Sequence, residues 1–123
     1  MYKKITLAIF IALLSVNLYA GDYDGLWLLE GETEFTMVRQ NGDQLLMIGI
    51  EGDQSGWWAD FGTISGNTAQ METIIDTSNT SVEFTVIFTS STKAEAVITS
   101  CTGPTCSDEE TSPGASFVFN KIF

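Results

Sequence analysis

Four acidic clusters, two cysteines and three tryptophans are the residues of this chain whose chemistry stands out. The 123 residues carry 16 Asp and Glu against 5 Lys and Arg, and no histidine. Without histidine the chain lacks the commonest general base and the commonest metal ligand. A net charge of −11 argues against a nucleic-acid binder, because phosphate backbones need Lys and Arg opposite them. The acids gather as Asp22-Tyr23-Asp24-Gly25, Glu30-Gly31-Glu32, Glu51-Gly52-Asp53 and Asp108-Glu109-Glu110. Loop carboxylates are ligands of the calcium type, but none of these runs has the spacing of a calcium loop. Two acids facing across a cleft can hydrolyse glycosides, and so small a domain has little room for such a cleft. There is no Ser/His/Asp or Cys/His set, no phosphate-cradling glycine loop and no dinucleotide fingerprint. The expectation is a protein that is not an enzyme, with no catalytic residues, no metal and no cofactor, whose acids form a solvated rim.

Cys101 and Cys106 flank Gly103-Pro104. In an oxidising compartment such a pair forms a disulfide. A redox role needs a cation or helix N-terminus to lower a thiol pKa, whereas the neighbours here are Asp108, Glu109 and Glu110. Trp57 and Trp58 are adjacent, so on a strand they point to opposite faces. One enters the interior and the other is exposed or lines a mouth. With Trp27, Asp60 and Phe61 they are the candidate ligand-binding residues; the competing reading makes both rings ordinary packing.

These residues must be positioned by strands, because no stretch after residue 20 keeps a helical apolar period. Short runs of period two recur instead, with Gly, Asn and Ser between them. They cover 25–30, 33–41, 44–51, 57–65, 68–76, 81–90, 93–101 and 116–123. Asn41-Gly42-Asp43 is a tight-turn signal, so 33–51 reads as a hairpin. In 33–41, Phe35 and Met37 share one face and Thr36 and Val38 the other. In 68–76, Ala69, Met71 and Ile75 face one way, and Gln70, Glu72 and Asp76 the other. Val82, Phe84, Val86 and Phe88 point inward, with Ala94, Ala96 and Ile98 in register. The last run puts Phe117, Phe119 and Phe123 on one face with Lys121 among them. Eight strands on short connections predict an all-β fold, an eight-stranded antiparallel up-and-down (meander) barrel, with a two-sheet β-sandwich as the alternative.

The first twenty residues read as an address. Lys3 and Lys4 precede an apolar run from Ile5 to Val16, and Ala20 offers a small residue at the junction with Gly21. That is the layout of a secretory signal peptide; the run is short of the ~20 residues of a spanning helix. The domain reading is a signal peptide at 1–20 and a single all-β domain at 21–123, secreted or periplasmic. The domain keeps only Arg39, Lys93 and Lys121 against all 16 acids, a surface that repels anionic membranes and attracts basic proteins. An outer-membrane barrel fits poorly. Eight spanning strands of about 10 residues would take about 80 residues and leave too little chain for the connections.

Gly25-Leu26-Trp27 on the opening strand resembles the start of the lipocalin and avidin-like (calycin) barrels. The resemblance implies a closed barrel with an apolar cavity, Trp27 packed across its closed end, and Lys121 of the last strand against it. The Gly-x-Trp start together with the ending Phe119-Asn120-Lys121-Ile122-Phe123 also resembles small secreted bacterial domains, which implies a bacterial host. The functional expectation is an acidic, non-catalytic binding domain for a small apolar ligand or a protein partner. The alternative is an interaction module or inhibitor that acts on a cationic extracellular protein through its acidic loops. Salt separates the two, since binding through exposed acids weakens with ionic strength and binding in an apolar cavity does not.

Overall fold

A computed structural model describes residues 21–123; the signal peptide expected at 1–20 lies outside the described residues. Eight strands follow one another: β1 (Gly25–Leu29), β2 (Phe35–Asn41), β3 (Gln44–Ile50), β4 (Trp57–Ser65), β5 (Thr68–Asp76), β6 (Ser81–Phe88), β7 (Lys93–Thr102) and β8 (Ser116–Lys121). Each pairs antiparallel with the next, and β1 pairs with β8 through Trp27–Lys121, Leu28–Asn120 and Leu29–Phe119. The sheet is therefore a closed meander barrel, and the sandwich alternative falls. Closure leaves no free edge to template association. The seam is reinforced beyond the strands by Leu26 N–H donating to the Phe123 carbonyl at 3.0 Å and Glu30 N–H to the Val118 carbonyl at 2.8 Å.

Three strands are two residues shorter than the sequence suggests. β2 starts at Phe35, β6 stops at Phe88 and β8 stops at Lys121. Phe123 is consequently not on a shared inward face but 84% exposed. The Val82–Phe88 strand and the Ala94/Ala96/Ile98 strand have the expected inward faces: Phe84, Val86, Phe88, Ala94, Ala96 and Ile98 are all buried. On β2 the interior takes Thr36 and Val38, and Phe35 and Met37 face out.

On β5 the expected alternation breaks. Ala69 and Met71 are buried, but Ile75 is 52% exposed. The ladder to β4 shifts from Ala59–Ile75 to Asp60–Thr73, so Ile74 is an extra residue. Such a bulge re-aims every side chain beyond it. It sends Ile75 out and turns Asp76, expected outside, toward the barrel interior, where it lines a cavity.

The closed end is built around Trp27, 1% exposed. Its indole N–H donates to the Tyr23 carbonyl at 3.0 Å. Its ring meets Phe88 edge-on at 5.6 Å, and Tyr23 stacks on Phe88 at 3.8 Å. Lys121 is its register partner on β8. Gly25 is required here: its φ is +146°, and a Cβ would lie 2.0 Å from the Phe123 carbonyl oxygen.

Cys101 and Cys106 are joined, and no described cysteine is free. The bond ties the end of β7 to the 103–115 loop. That loop is also held to the β5–β6 turn by Thr80, 4% exposed, whose hydroxyl meets that of Thr105 at 2.6 Å. Because the closed ring is small and the barrel core lies elsewhere, Cys101→Ser with Cys106→Ser should leave the barrel folded, with stability lowered by ~2 kcal/mol or less. Far-UV circular dichroism and urea melts check this; loss of the β-sheet spectrum at room temperature would contradict it.

Candidate functional site: an acidic funnel at one end of the barrel

The barrel has two unlike ends. The end carrying the 41–44, 65–68 and 88–93 turns is filled, down to Leu45, Ala69 and Val86, each 0% exposed. The opposite end carries the connections after β1, β3, β5 and β7. It holds a funnel of about 840 Å³ lined by residues from all of them. Its rim is exposed, and there Glu30, Glu32, Glu51, Asp53 and Glu110 stand. Below the rim is a neck of buried residues, among them Leu29, Thr36, Met47, Asp60, Phe84 and Ile98.

Period two explains who lines it. On β4, Trp58, Asp60, Gly62 and Ile64 alternate inward, leaving Trp57 and Phe61 on the outer wall at 45% and 37% exposure. Gly49 lies opposite Trp58 on β3. A Cβ on Gly49 would come within 1.9 Å of the Trp58 ring, so the glycine makes the space across which the indole lies.

The charges are segregated along the barrel axis. Three connections at the funnel end and the end of one strand contribute carboxylates: Glu30, Glu32 and Glu34 after β1, Glu51 and Asp53 after β3, the 108–110 run after β7, and Asp76 at the end of β5. The basic residues of the described chain sit toward the other end. Lys93 opens β7, Lys121 closes β8, and Arg39 near the end of β2 pairs with Asp24. The funnel therefore has a strongly negative mouth with no base to neutralise it.

Two carboxyls there are perturbed. Asp60 is 3% exposed, and burial pushes its pKa up to about 7. The nearby Asp76 charge adds to the rise, while the Thr73 hydroxyl and the Trp58 indole partly offset it. Glu34 is also raised to about 7, by burial first and then by the charges of Glu51, Glu32, Glu110 and Asp60. Among the described residues, three buried side-chain oxygens lack a hydrogen-bond partner: Thr36 Oγ1, Asp60 Oδ1 and Gln40 Oε1. The first two belong to the funnel wall. No group of three or more acidic or cysteine side chains is arranged to hold a metal ion among the described residues.

No family model, curated protein or solved structure matches the chain. An eight-stranded closed antiparallel barrel is consistent with a lipocalin-like barrel.

The five residues singled out from the sequence do not form one surface. Trp27 belongs to the packing of the closed end. Trp58 and Asp60 meet in the funnel. Trp57 and Phe61 lie outside, on an apolar band where Phe35, Ile50 and Trp57 are register neighbours. Asp60, expected beside an exposed tryptophan, is buried instead. Thr36, Glu34, Asp76 and Phe117 line the funnel without having been anticipated. One signal was available: in Trp57–Ser65 a lone aspartate keeps the phase of Trp58 and Ile64, the phase that faces inward.

Proposed function

We propose that this chain is an exported, non-catalytic binding domain of lipocalin-like architecture whose ligand enters the acidic funnel. The observation that carries this reading is the funnel itself. Its volume is that of a small-molecule site, and such sites combine apolar walls with a few placed polar groups. Leu29, Met47, Val82, Phe84 and Ile98 supply the walls, and Thr36 and Asp60 the polar groups. The disulfide is consistent with an extracellular or periplasmic location.

A neutral apolar fluorophore, N-phenyl-1-naphthylamine, tests occupancy. Its emission should rise saturably, with a Kd in the micromolar range. Val82→Trp, which fills the mouth, should weaken binding about tenfold or more. Trp57→Ala on the outer wall should leave it unchanged. No saturable binding, or loss through Trp57→Ala, would overturn the reading.

The charge segregation favours a second reading, in which a cationic protein caps the rim. Salt distinguishes the two. Capture by the rim acids falls steeply between low and physiological ionic strength, whereas binding of the neutral fluorophore is insensitive to it.

A further inference from the structure

The chemistry of the ligand can be narrowed by asking what the neck of the funnel needs. Asp60 is the only charged side chain among its buried residues, and its Oδ1 has no partner. An isolated carboxylate taken out of water is costly unless it is paired. The described chain provides no pair: Arg39 is engaged with Asp24, and Lys93 and Lys121 lie at the far end. A cation able to reach Asp60 therefore has to come from outside.

The surroundings limit what kind of cation fits. A divalent metal needs several oxygens converging on one point, and the acids here are spread around the rim with one carboxylate at the neck. The lining is apolar and aromatic, with half-buried Trp58 and Phe117 nearer the rim and buried Phe84 and Phe119 below them. Aromatic faces attract organic cations and cover apolar bodies. Depth matters as well. The lining residues Thr36, Met47, Phe84 and Ile98 are buried to 2–7% exposure, as is Asp60 at 3%, whereas the rim acids are exposed, so a charged group reaches Asp60 at the end of a chain while a bulkier body stays nearer the rim.

We propose that the funnel binds a primary ammonium compound. The ammonium, carried on a slender chain, pairs with Asp60 in the neck, and the apolar body rests against Trp58 and Phe117 nearer the mouth. This rests on the reading of the funnel as a ligand site. The ammonium offers its three N–H donors to the Asp60 carboxylate, and the Thr36 hydroxyl is a second acceptor in the same neck. The rim acids, Glu32, Glu51 and Glu110 among them, raise the local concentration of the cation and speed its entry. They are exposed, and their pull is screened by salt; the pairing at Asp60 is screened much less.

Dansylcadaverine and its N-acetyl derivative make the test, because they share ring and chain and differ in the charged end. Fluorescence titrations at about pH 8 keep the alkylamine charged and Asp60 ionised. The amine should bind about tenfold or more tightly than the acetylated form. Asp60→Asn should erase that preference while retaining the fold, since it replaces a costly buried charge by a neutral isostere. Glu110→Gln should change the preference about threefold or less. Equal affinity of the two dansyl compounds would overturn the ammonium proposal and leave the funnel as an apolar site. Binding of neither, together with no binding of the naphthylamine probe, would overturn the funnel reading as well. A preference that survives in Asp60→Asn but vanishes in high salt would assign selectivity to the rim and overturn the role of Asp60.

Discussion

Trp27→Ala should destabilise the barrel by about 3–5 kcal/mol, the range for truncating a large buried aromatic. A domain of this size has roughly 5–15 kcal/mol in total, so the variant should be close to unfolded at moderate temperature. The indole is 1% exposed and closes one end of the barrel against Phe88. Its removal opens a cavity that the sheet cannot collapse to fill, because Trp27 is held between β2 and β8 through Thr36 and Lys121. It also leaves the Tyr23 carbonyl without the N–H that it accepts at 3.0 Å. Trp57→Ala is the control. That ring is 45% exposed on the outer wall, and its loss should cost about 1 kcal/mol or less. Urea melts of both variants followed by circular dichroism check the pair. A Trp27→Ala midpoint near that of the parent protein would show that the closed end is not packed as described.

The second large effect is an inverted response to pH. Asp60 and Glu34 both have folded-state pKa values raised to about 7. Their unfolded values lie near 4, so between about pH 4 and 7 the folded chain holds more protons than the unfolded one. Stability is then complete below the unfolded values and is lost as pH rises through the folded ones. Moving from pH 8 to pH 5 should therefore stabilise the barrel, by on the order of 2–4 kcal/mol. Many proteins lose stability on acidification, because paired carboxylates must be protonated. Here the acids of the funnel relieve one another and their own burial by taking up protons. Asp60→Asn should raise stability at pH 8 and flatten the profile; Glu72→Gln, on the outward face of β5, should do neither. Denaturant melts at pH 5 and pH 8 decide it. A parent protein less stable at pH 5 than at pH 8 would refute the prediction.

The number and approximate positions of the strands were legible because period two is a local property. Asn41-Gly42-Asp43, Gly66-Asn67 and the Val82–Phe88 alternation carry their meaning within a few residues. The disulfide was legible for the same reason, because Cys101 and Cys106 are close in sequence as well as joined in space. Alternation by itself, however, divides a strand into two faces without saying which is inside. Thr36 and Val38 rather than Phe35 and Met37 face inward because the register to β1 and β3 places them beside Trp27, Gly49 and Met47. Ile74 could not be read as a bulge, since a bulge is defined by the partner strand; that one residue turns Asp76 into the funnel and Ile75 out of it.

Acidity, the lack of histidine, the number and order of the strands, and the pairing of Cys101 with Cys106 can all be read along the chain. Closure of the ring through β1 and β8, and the contrast between a filled end and an open one, exist only once distant strands have paired. The folded sheet also brings acids from three connections and from the end of β5 to one mouth, and leaves Asp60 in its neck without a basic partner. The physical reason is that burial and electrostatic potential are sums over residues brought together from distant parts of the chain. A spacing of two residues says which neighbours share a face; only closure of the sheet says what that face encloses.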